Sequence, residues 1–171
     1  MAGQLIQVAT NTVTSAVSSV TLTGIDSDDV YMFAYSGVTP TTDDKNIYMR
    51  FTVSGTADSS SNYDSALKNL RTDNTFGNSS STNQSSIGIS YGIGSATGEN
   101  ANAIFYLYNF NNASEYSFIT TEPVYAVYQN SLQGHTGGAV LTVAQACDGV
   151  QFFLESSDNF EAGTFTLYKV T

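Results

Sequence analysis

Apolar and polar positions alternate along most of this chain. Residues 47–53 carry an apolar side chain at every second position, and residues 19–24 follow the same rule. Residues 30–35 and 103–110 are apolar at almost every position. A period of two is typical of a β-strand with one buried face, and a short continuous apolar run fits a strand covered on both faces. These segments predict roughly ten strands, at the spacing common in all-β proteins.

The end of the chain gives the clearest pattern. Residues 150–154 alternate, residues 156–159 are polar, and residues 163–170 (GTFTLYKV) resume the period of two. This order predicts a strand, a connection and a closing strand. A chain that ends in this way uses its last residues to complete a sheet.

No segment between the predicted strands has the length and period of an ordinary helix, so parallel βαβ units are disfavoured. The sequence therefore predicts an all-β fold, an antiparallel two-sheet sandwich of jelly-roll type. We expect residues 1–16 to form an N-terminal arm or first strand, and residues 17–171 to form one domain. Residues 54–86 are ambiguous: Tyr63–Arg71 fits a short helix or a strand, and residues 72–86 read as a polar loop.

Composition narrows the classes of partner. The net charge is −10, and Ser, Thr and Asn make up about a third of the chain. Such an acidic surface repels phosphate backbones, so we expect no nucleic-acid binding. No run approaches the ~20 apolar residues of a membrane span, and residues 1–4 lack the basic start of a signal peptide, so we expect neither a membrane partner nor secretion through this segment.

Candidate catalytic chemistry is sparse. His135 is the single histidine and lies in the glycine-rich segment 133–138, where we expect a solvated turn rather than a general base. The nucleophile motif G-x-S-x-G is absent, and we expect no enzyme, no cofactor and no metal site. Acidic residues 26–29 read as a polar turn, with a calcium ion shared with Asp43 or Asp44 as the alternative. Cys147, the single cysteine, extends the strand-like run 139–146 and is expected to be a small buried side chain.

Two predicted strands are apolar on both faces, residues 103–110 and 124–128. A sheet with one face in water is normally polar on that face, so a second cover is needed, either a long loop or a neighbouring subunit. Replacing Tyr106 and Tyr108 by Ser is expected to leave the monomer folded and to weaken assembly. The candidate interface residues in these strands are Tyr106, Tyr108, Phe110, Tyr125, Val127 and Tyr128, and those expected to dock the N-terminal stretch are Leu5, Ile6 and Val8.

Several motifs occur in a fixed order. They are LIQ at 5–7, the segment 17–32 (VSSVTLTGIDSDDVYM), PTTD at 40–43 with IYMRF at 47–51, SG at 54–55 with SNY at 61–63, and EAGTFTLYKV at 161–170. In this order and spacing the chain resembles a family of small virion structural proteins of tailed bacteriophages. The resemblance covers most of the chain and is weakest from 77 to 98. The ending departs by Ala-Gly where the family usually has Ser-Gly, and by Lys169 where glycine is common.

The resemblance implies a β-sandwich protein of the virion, assembled in the host cytoplasm, with no catalytic residues to carry over. The first expectation is a capsid-decorating (cement) protein, a homotrimer that contacts the major capsid protein and stabilises the shell. The alternative is a tail or fibre module that binds a host surface glycan or joins tail components.

Overall fold

The computed structural model describes residues 3–129 and 131–171, most of which lie in 13 β-strands. The strands are β1 (Leu5–Val13), β2 (Ser19–Thr23), β3 (Tyr31–Pro40), β4 (Lys45–Val53), β5 (Thr56–Ala57), β6 (Tyr63–Arg71), β7 (Phe76–Gln84), β8 (Ile87–Ile93), β9 (Ala101–Tyr108), β10 (Ser117–Val127), β11 (Ser131–Leu141), β12 (Gly149–Leu154) and β13 (Phe160–Val170). A three-residue 3-10 turn, Glu155–Ser157, is the only helical element in the described residues. The protein is therefore all-β, as the alternation predicts.

All strand pairings are antiparallel, and they join the 13 strands into one network. The main path runs β1-β13-β3-β9-β10-β8-β4-β12-β2, and a branch continues from β10 through β11 and β6 to β7. The predicted closing strand β13 lies between β1 and β3, whereas β12 lies between β4 and β2. The two C-terminal strands thus complete opposite parts of the network.

The network folds back on itself at the connection between β10 and β8, which is narrow. It consists of the register pair Val127 and Ile93, with flanking bonds from the Tyr128 amide to the Gly92 carbonyl (3.0 Å) and from the Gly94 amide to the Ala126 carbonyl (3.3 Å). Strands on one side of this connection contact strands on the other side through their side chains, with no backbone pairing between them.

Phe152 of β12 is the centre of the core. Its ring centroid lies 4.8 Å from that of Phe33 of β3, 5.8 Å from Phe105 of β9 and 5.8 Å from Phe165 of β13. All four rings are fully buried. Aromatic pairs at these separations stabilise a fold by more than their buried area alone. This cluster therefore holds β12 against β3, β9 and β13.

The strand count differs from the prediction of about ten, and the pairing forms one network of 13 strands rather than two separate sheets. Two segments expected to be loops, residues 72–86 and 133–138, contribute to strands. β7 (FGNSSSTNQ) has no buried side chain and no apolar period, so hydrophobic patterning cannot detect it. Its strand geometry comes from pairing with β6, which is strengthened by a hydroxyl contact of 2.9 Å between Ser65 and Ser81.

The glycine-rich segment 133–138 lies within β11, not in a turn. Glycine is required there because the backbones approach closely: a Cβ on Gly137 would overlap the carbonyl oxygen of Ala66 in β6. Composition alone suggests a flexible loop, whereas the neighbouring strand makes glycine a packing requirement. Strand β11 ends at Leu141, so Cys147 lies in the connection before β12, outside the strand expected to contain it.

The N-terminal stretch forms strand β1 from Leu5, and its pairing with β13 is extended by reciprocal backbone bonds between Gln4 and Thr171 (2.8 and 3.0 Å). The first two residues of the expected arm, Met1 and Ala2, lie outside the described residues.

Candidate interaction surface

The outer face of β9 and β10 carries large apolar side chains in water. Ile104 and Tyr106 of β9 and Phe118 and Val124 of β10 are exposed, while the odd-numbered positions of both strands are buried. The register places Phe118 opposite Tyr108. Cross-strand neighbours of this kind touch on one face of a sheet, so these side chains form a continuous surface.

This surface continues across β11, β6 and β7. One row of register pairs runs from Phe76 through Leu70, Gly134 and Val124 to Asn102. We define the outer patch as the seven large apolar side chains of these five strands that are 40–64% exposed: Leu70, Phe76, Ile104, Tyr106, Phe118, Val124 and Leu132. The described residues contain twelve such exposed side chains, so more than half lie on this one face. An apolar concentration of this kind is typical of an interaction site.

Two grooves cross the outer patch where glycines of β11 leave no side chain. The first, about 510 Å³, lies over Gly134 between Leu70, Val124 and Leu132. The second, about 460 Å³, lies over Gly138 beside Phe118 and Val140. The grooves alternate with apolar ridges, so the surface has relief into which side chains of a partner can fit.

Charge at the outer patch differs from that of the whole chain. Lys68 of β6 supplies one positive charge, and Asp64 of β6 and Glu122 of β10 supply two negative ones, whereas Arg71 lies on the opposite face of β6, beside buried Gln133. The three charges of the outer face sum to −1, whereas the chain carries −10. Another acidic protein can therefore approach this face with less repulsion than it meets elsewhere.

The sequence-predicted interface residues that keep contact with solvent lie in two places, on or near the outer patch and on β1. Tyr106 belongs to the outer patch, Tyr108 is half-buried on the same face, and Tyr128 is exposed just after β10. Leu5 and Ile6 are about half exposed on β1, and Val8 packs partly against the core. β1 is at the opposite end of the strand order from β7, so these N-terminal residues are not brought to the outer patch.

The assignment of Phe110, Tyr125 and Val127 to an interface is wrong, because all three are buried within the monomer. Phe110 follows Asn109, whose φ of 58° reverses the alternation at the end of β9, and its ring packs 4.5 Å from that of Phe51. Tyr125 and Val127 lie on the inward face of β10. The sequence of this strand is apolar at both parities, so its period does not distinguish the inner face from the outer one.

Sequence patterning also missed four members of the outer patch, Leu70, Phe76, Phe118 and Leu132, as interface candidates. Leu70 and Phe76 lie in the region that seemed ambiguous or looped, and Leu132 precedes the glycine-rich segment. Only the register across β7, β6, β11 and β10 brings them to one face.

His135 is buried in β11, which corrects the expectation of a solvated turn. Its ring lies 5.5 Å from those of Tyr91 and Tyr125, and Nε2 bonds to the carbonyl oxygen of Ile89. A carbonyl only accepts, so Nε2 carries the proton and donates it. Burial lowers the pKa of this imidazole, which keeps it neutral.

Cys147 is buried, as predicted. Burial raises the pKa of its thiol to about 11, so the reactive thiolate is scarce at neutral pH. Within residues 3–129 and 131–171, no group of three or more His, Cys, Asp or Glu side chains has a geometry that could hold a metal ion. The acidic turn at 26–29 instead bonds to Tyr31, whose hydroxyl donates to Asp26 Oδ1 at 3.0 Å.

In the part of the chain that the structure describes, no helix has the length and apolar character needed to cross a membrane. Comparisons of the chain with protein-family models, with characterised proteins and with solved structures found no match.

Proposed function

We propose that this protein is a structural component of a bacteriophage virion, a capsid cement protein that stabilises the shell through subunit contacts. The observation that carries the proposal is the ordered series of motifs from LIQ at 5–7 to EAGTFTLYKV at 161–170. The outer patch supplies the physical means, since it is a weakly charged, apolar, grooved face on an otherwise strongly acidic protein.

We further propose that the strands form a two-layer jelly roll. The strand order β1-β13-β3-β9 on one side of the β10–β8 connection and β2-β12-β4-β8 on the other has the connectivity of two interleaved Greek keys. The contacts of Phe152 with rings of β3, β9 and β13 support a face-to-face packing of these two layers. Strands β5–β7 and β10–β11 are then insertions that widen one layer. Jelly rolls are common in viral capsid and lectin domains.

In this proposal the outer patch docks on the major capsid protein. Five strands spaced about 4.8 Å apart and about nine residues long give a face of roughly 20 by 30 Å, a projected area of about 600 Å². Surface relief brings this close to the ~800 Å² that each partner contributes to a standard specific interface. Exposed Leu5 and Ile6 supply a smaller contact with a neighbouring virion protein. Many copies bound in this way raise the barrier to shell rupture.

The copy number per virion tests the proposal. Quantitative mass spectrometry of purified particles is expected to find hundreds of copies of this chain, and empty shells lacking it are expected to bind the purified protein and rupture at a higher temperature. A handful of copies, or shells that neither bind the protein nor gain stability, would contradict the cement role.

The second candidate is a tail or fibre module that binds a host glycan. The two open grooves favour it, because the second is bordered by the exposed ring of Phe118 and a sugar ring can stack on an aromatic face. Binding on a glycan array that is lost in a Phe118→Ser variant, together with a few dozen copies or fewer per virion, would select this function over the first.

A further inference from the structure

Strands β1 and β7 occupy the two ends of one continuous run of paired strands. The run is β1-β13-β3-β9-β10-β11-β6-β7. Within the described residues, β1 pairs only with β13, and β7 pairs only with β6. Each strand therefore presents one edge of backbone N–H and C=O groups to solvent.

Both edges lack the charge and the proline that commonly protect an edge strand against pairing. Exposed edge strands are normally kept apart by charged side chains, proline, short length or a β-bulge. Each of these strands has one register irregularity, between Gln7 and Ala9 in β1 and between Ser81 and Gln84 in β7, which leaves residues 9–13 and 76–81 regularly paired. β1 (LIQVATNTV) and β7 (FGNSSSTNQ) contain no charged residue and no proline, and each is nine residues long. The edge strand β2, in contrast, has five residues, and β5 has two.

β7 also lacks the burial that normally holds a strand in place. None of its nine side chains is buried, so the strand extends beyond the core as the outer member of a ribbon with β6. A two-stranded ribbon is marginal in water without further cover. A strand added along the free edge of β7 would supply that cover.

We infer that the β1 edge of one copy pairs with the β7 edge of the next copy, so that the sheet continues from subunit to subunit. The two edges are different surfaces, so this contact is heterologous and repeats head to tail; it closes into a ring when the rotation per subunit allows it. A ring uses both edges with a single type of contact. Isologous pairing of β1 with β1 would leave every β7 edge open, and pairing of β7 with β7 would leave every β1 edge open.

Charge also favours a second copy at these edges. Two chains that each carry −10 repel across most of their surfaces, whereas β1 and β7 together contribute no charge. The inference deepens the homo-oligomeric part of the proposed function. It leaves the outer patch free for the shell, because backbone groups at the edges make the contact.

Cysteine cross-linking of full-length protein tests this contact. Asn11 in β1 and Ser80 in β7 are exposed, and neither makes a side-chain hydrogen bond within the described residues. N11C and S80C are each treated with a flexible bis-maleimide, alone and as a mixture of the two proteins; buried Cys147 serves as the unreactive background. We expect dimers in the mixture and only background levels in either variant alone. Equal cross-linking in a single variant would establish isologous pairing and overturn the inference.

A charge variant gives the second arm. Asn11→Lys places a guarding charge on the β1 edge, away from the outer patch, and Ser59→Lys makes a charged substitution at an exposed position outside the strands. Light scattering is expected to find an oligomer for the parent and for Ser59→Lys, and a monomer for Asn11→Lys, with thermal unfolding by circular dichroism checking that each variant is folded. A parent that stays monomeric at the highest soluble concentration would overturn the inference.

The two proposals fail separately. A ring that does not bind empty shells contradicts the cement function and leaves the edge pairing intact, whereas a monomer that binds shells contradicts the edge pairing alone.

Discussion

Replacing Phe152 by Ala tests whether the network folds back on itself as described. Phe152 is fully buried, and its ring contacts rings of β3, β9 and β13, none of which is a pairing neighbour of β12. A buried aromatic covers about 200 Å², which at about 25 cal/mol/Å² corresponds to roughly 5 kcal/mol. Because Ala retains part of this burial and the cavity relaxes in part, we expect a loss of about 3–5 kcal/mol in the free energy of unfolding.

The next residue provides the matched control. Phe153 points to the outer face of β12, where its ring stacks 5.7 Å from that of Tyr48 and lies 4.4 Å from the guanidinium carbon of Arg50. These side chains are half-buried, and contacts of this kind contribute about 1 kcal/mol, so Phe153→Ala is expected to cost less than Phe152→Ala.

Urea unfolding of both variants, followed by far-UV circular dichroism, measures the difference in the free energy of unfolding. In thermal unfolding, the Phe152 variant is expected to melt roughly 6–20 °C below the parent, and the Phe153 variant roughly 2–4 °C below it. Equal losses in the two variants would refute the assignment of inner and outer faces on β12, and with it the packing of β12 against β3, β9 and β13.

Three further predictions concern the outer patch, His135 and β11. Phe118→Ser removes about 80 Å² of exposed apolar surface, worth about 2 kcal/mol if it is buried at a contact, so binding to empty shells is expected to weaken by about 30-fold. Tyr48→Ser, in β4 and outside the outer patch, should leave shell binding unchanged. The pKa of His135 is lowered in the folded state, so the folded protein favours the neutral imidazole. This contribution to stability is present at high pH and is lost as the pH falls below about 6.5. Urea titrations at pH 8 and pH 5 should show that the free energy of unfolding depends less on pH for His135→Gln than for the parent. Gly137→Ala is expected to destabilise the fold, because the added Cβ would overlap the β6 backbone. Gly98→Ala is the control: its Cβ meets nothing within 4 Å, so it adds only the strain of a positive φ. Thermal unfolding of both variants measures the difference in stability.

The sequence predicts the core strands because their burial gives an uninterrupted period. β4 and β12 place buried side chains at alternate positions for most of their length, as β13 does from Gly163 to Leu167, and the predicted positions of these strands lie close to the observed ones. The all-β class follows from the same signal. The strand order does not follow, because a period of two identifies a strand but contains no information about its neighbour.

The candidate surface is less accessible to sequence reasoning. Residues 103–110 and 124–128 correctly indicate that β9 and β10 have an apolar outer face, and Tyr106 was identified from them. The same pattern places Phe110, Tyr125 and Val127 on the wrong face, because both parities of these strands are apolar and a single residue with positive φ, Asn109, changes the phase of the alternation.

The segments that patterning misses are those that the proposed assembly uses. β7 has no buried side chain, and β11 carries glycines where its neighbours approach and where the grooves lie, so neither strand has the apolar period that burial within one chain imposes. Sequences usually agree with their fold at every level, and local disagreement marks a position selected for another purpose. In the proposed assembly that purpose is contact beyond the monomer: β7 offers an edge without charge or proline, and the glycines of β11 form the floor of the two grooves.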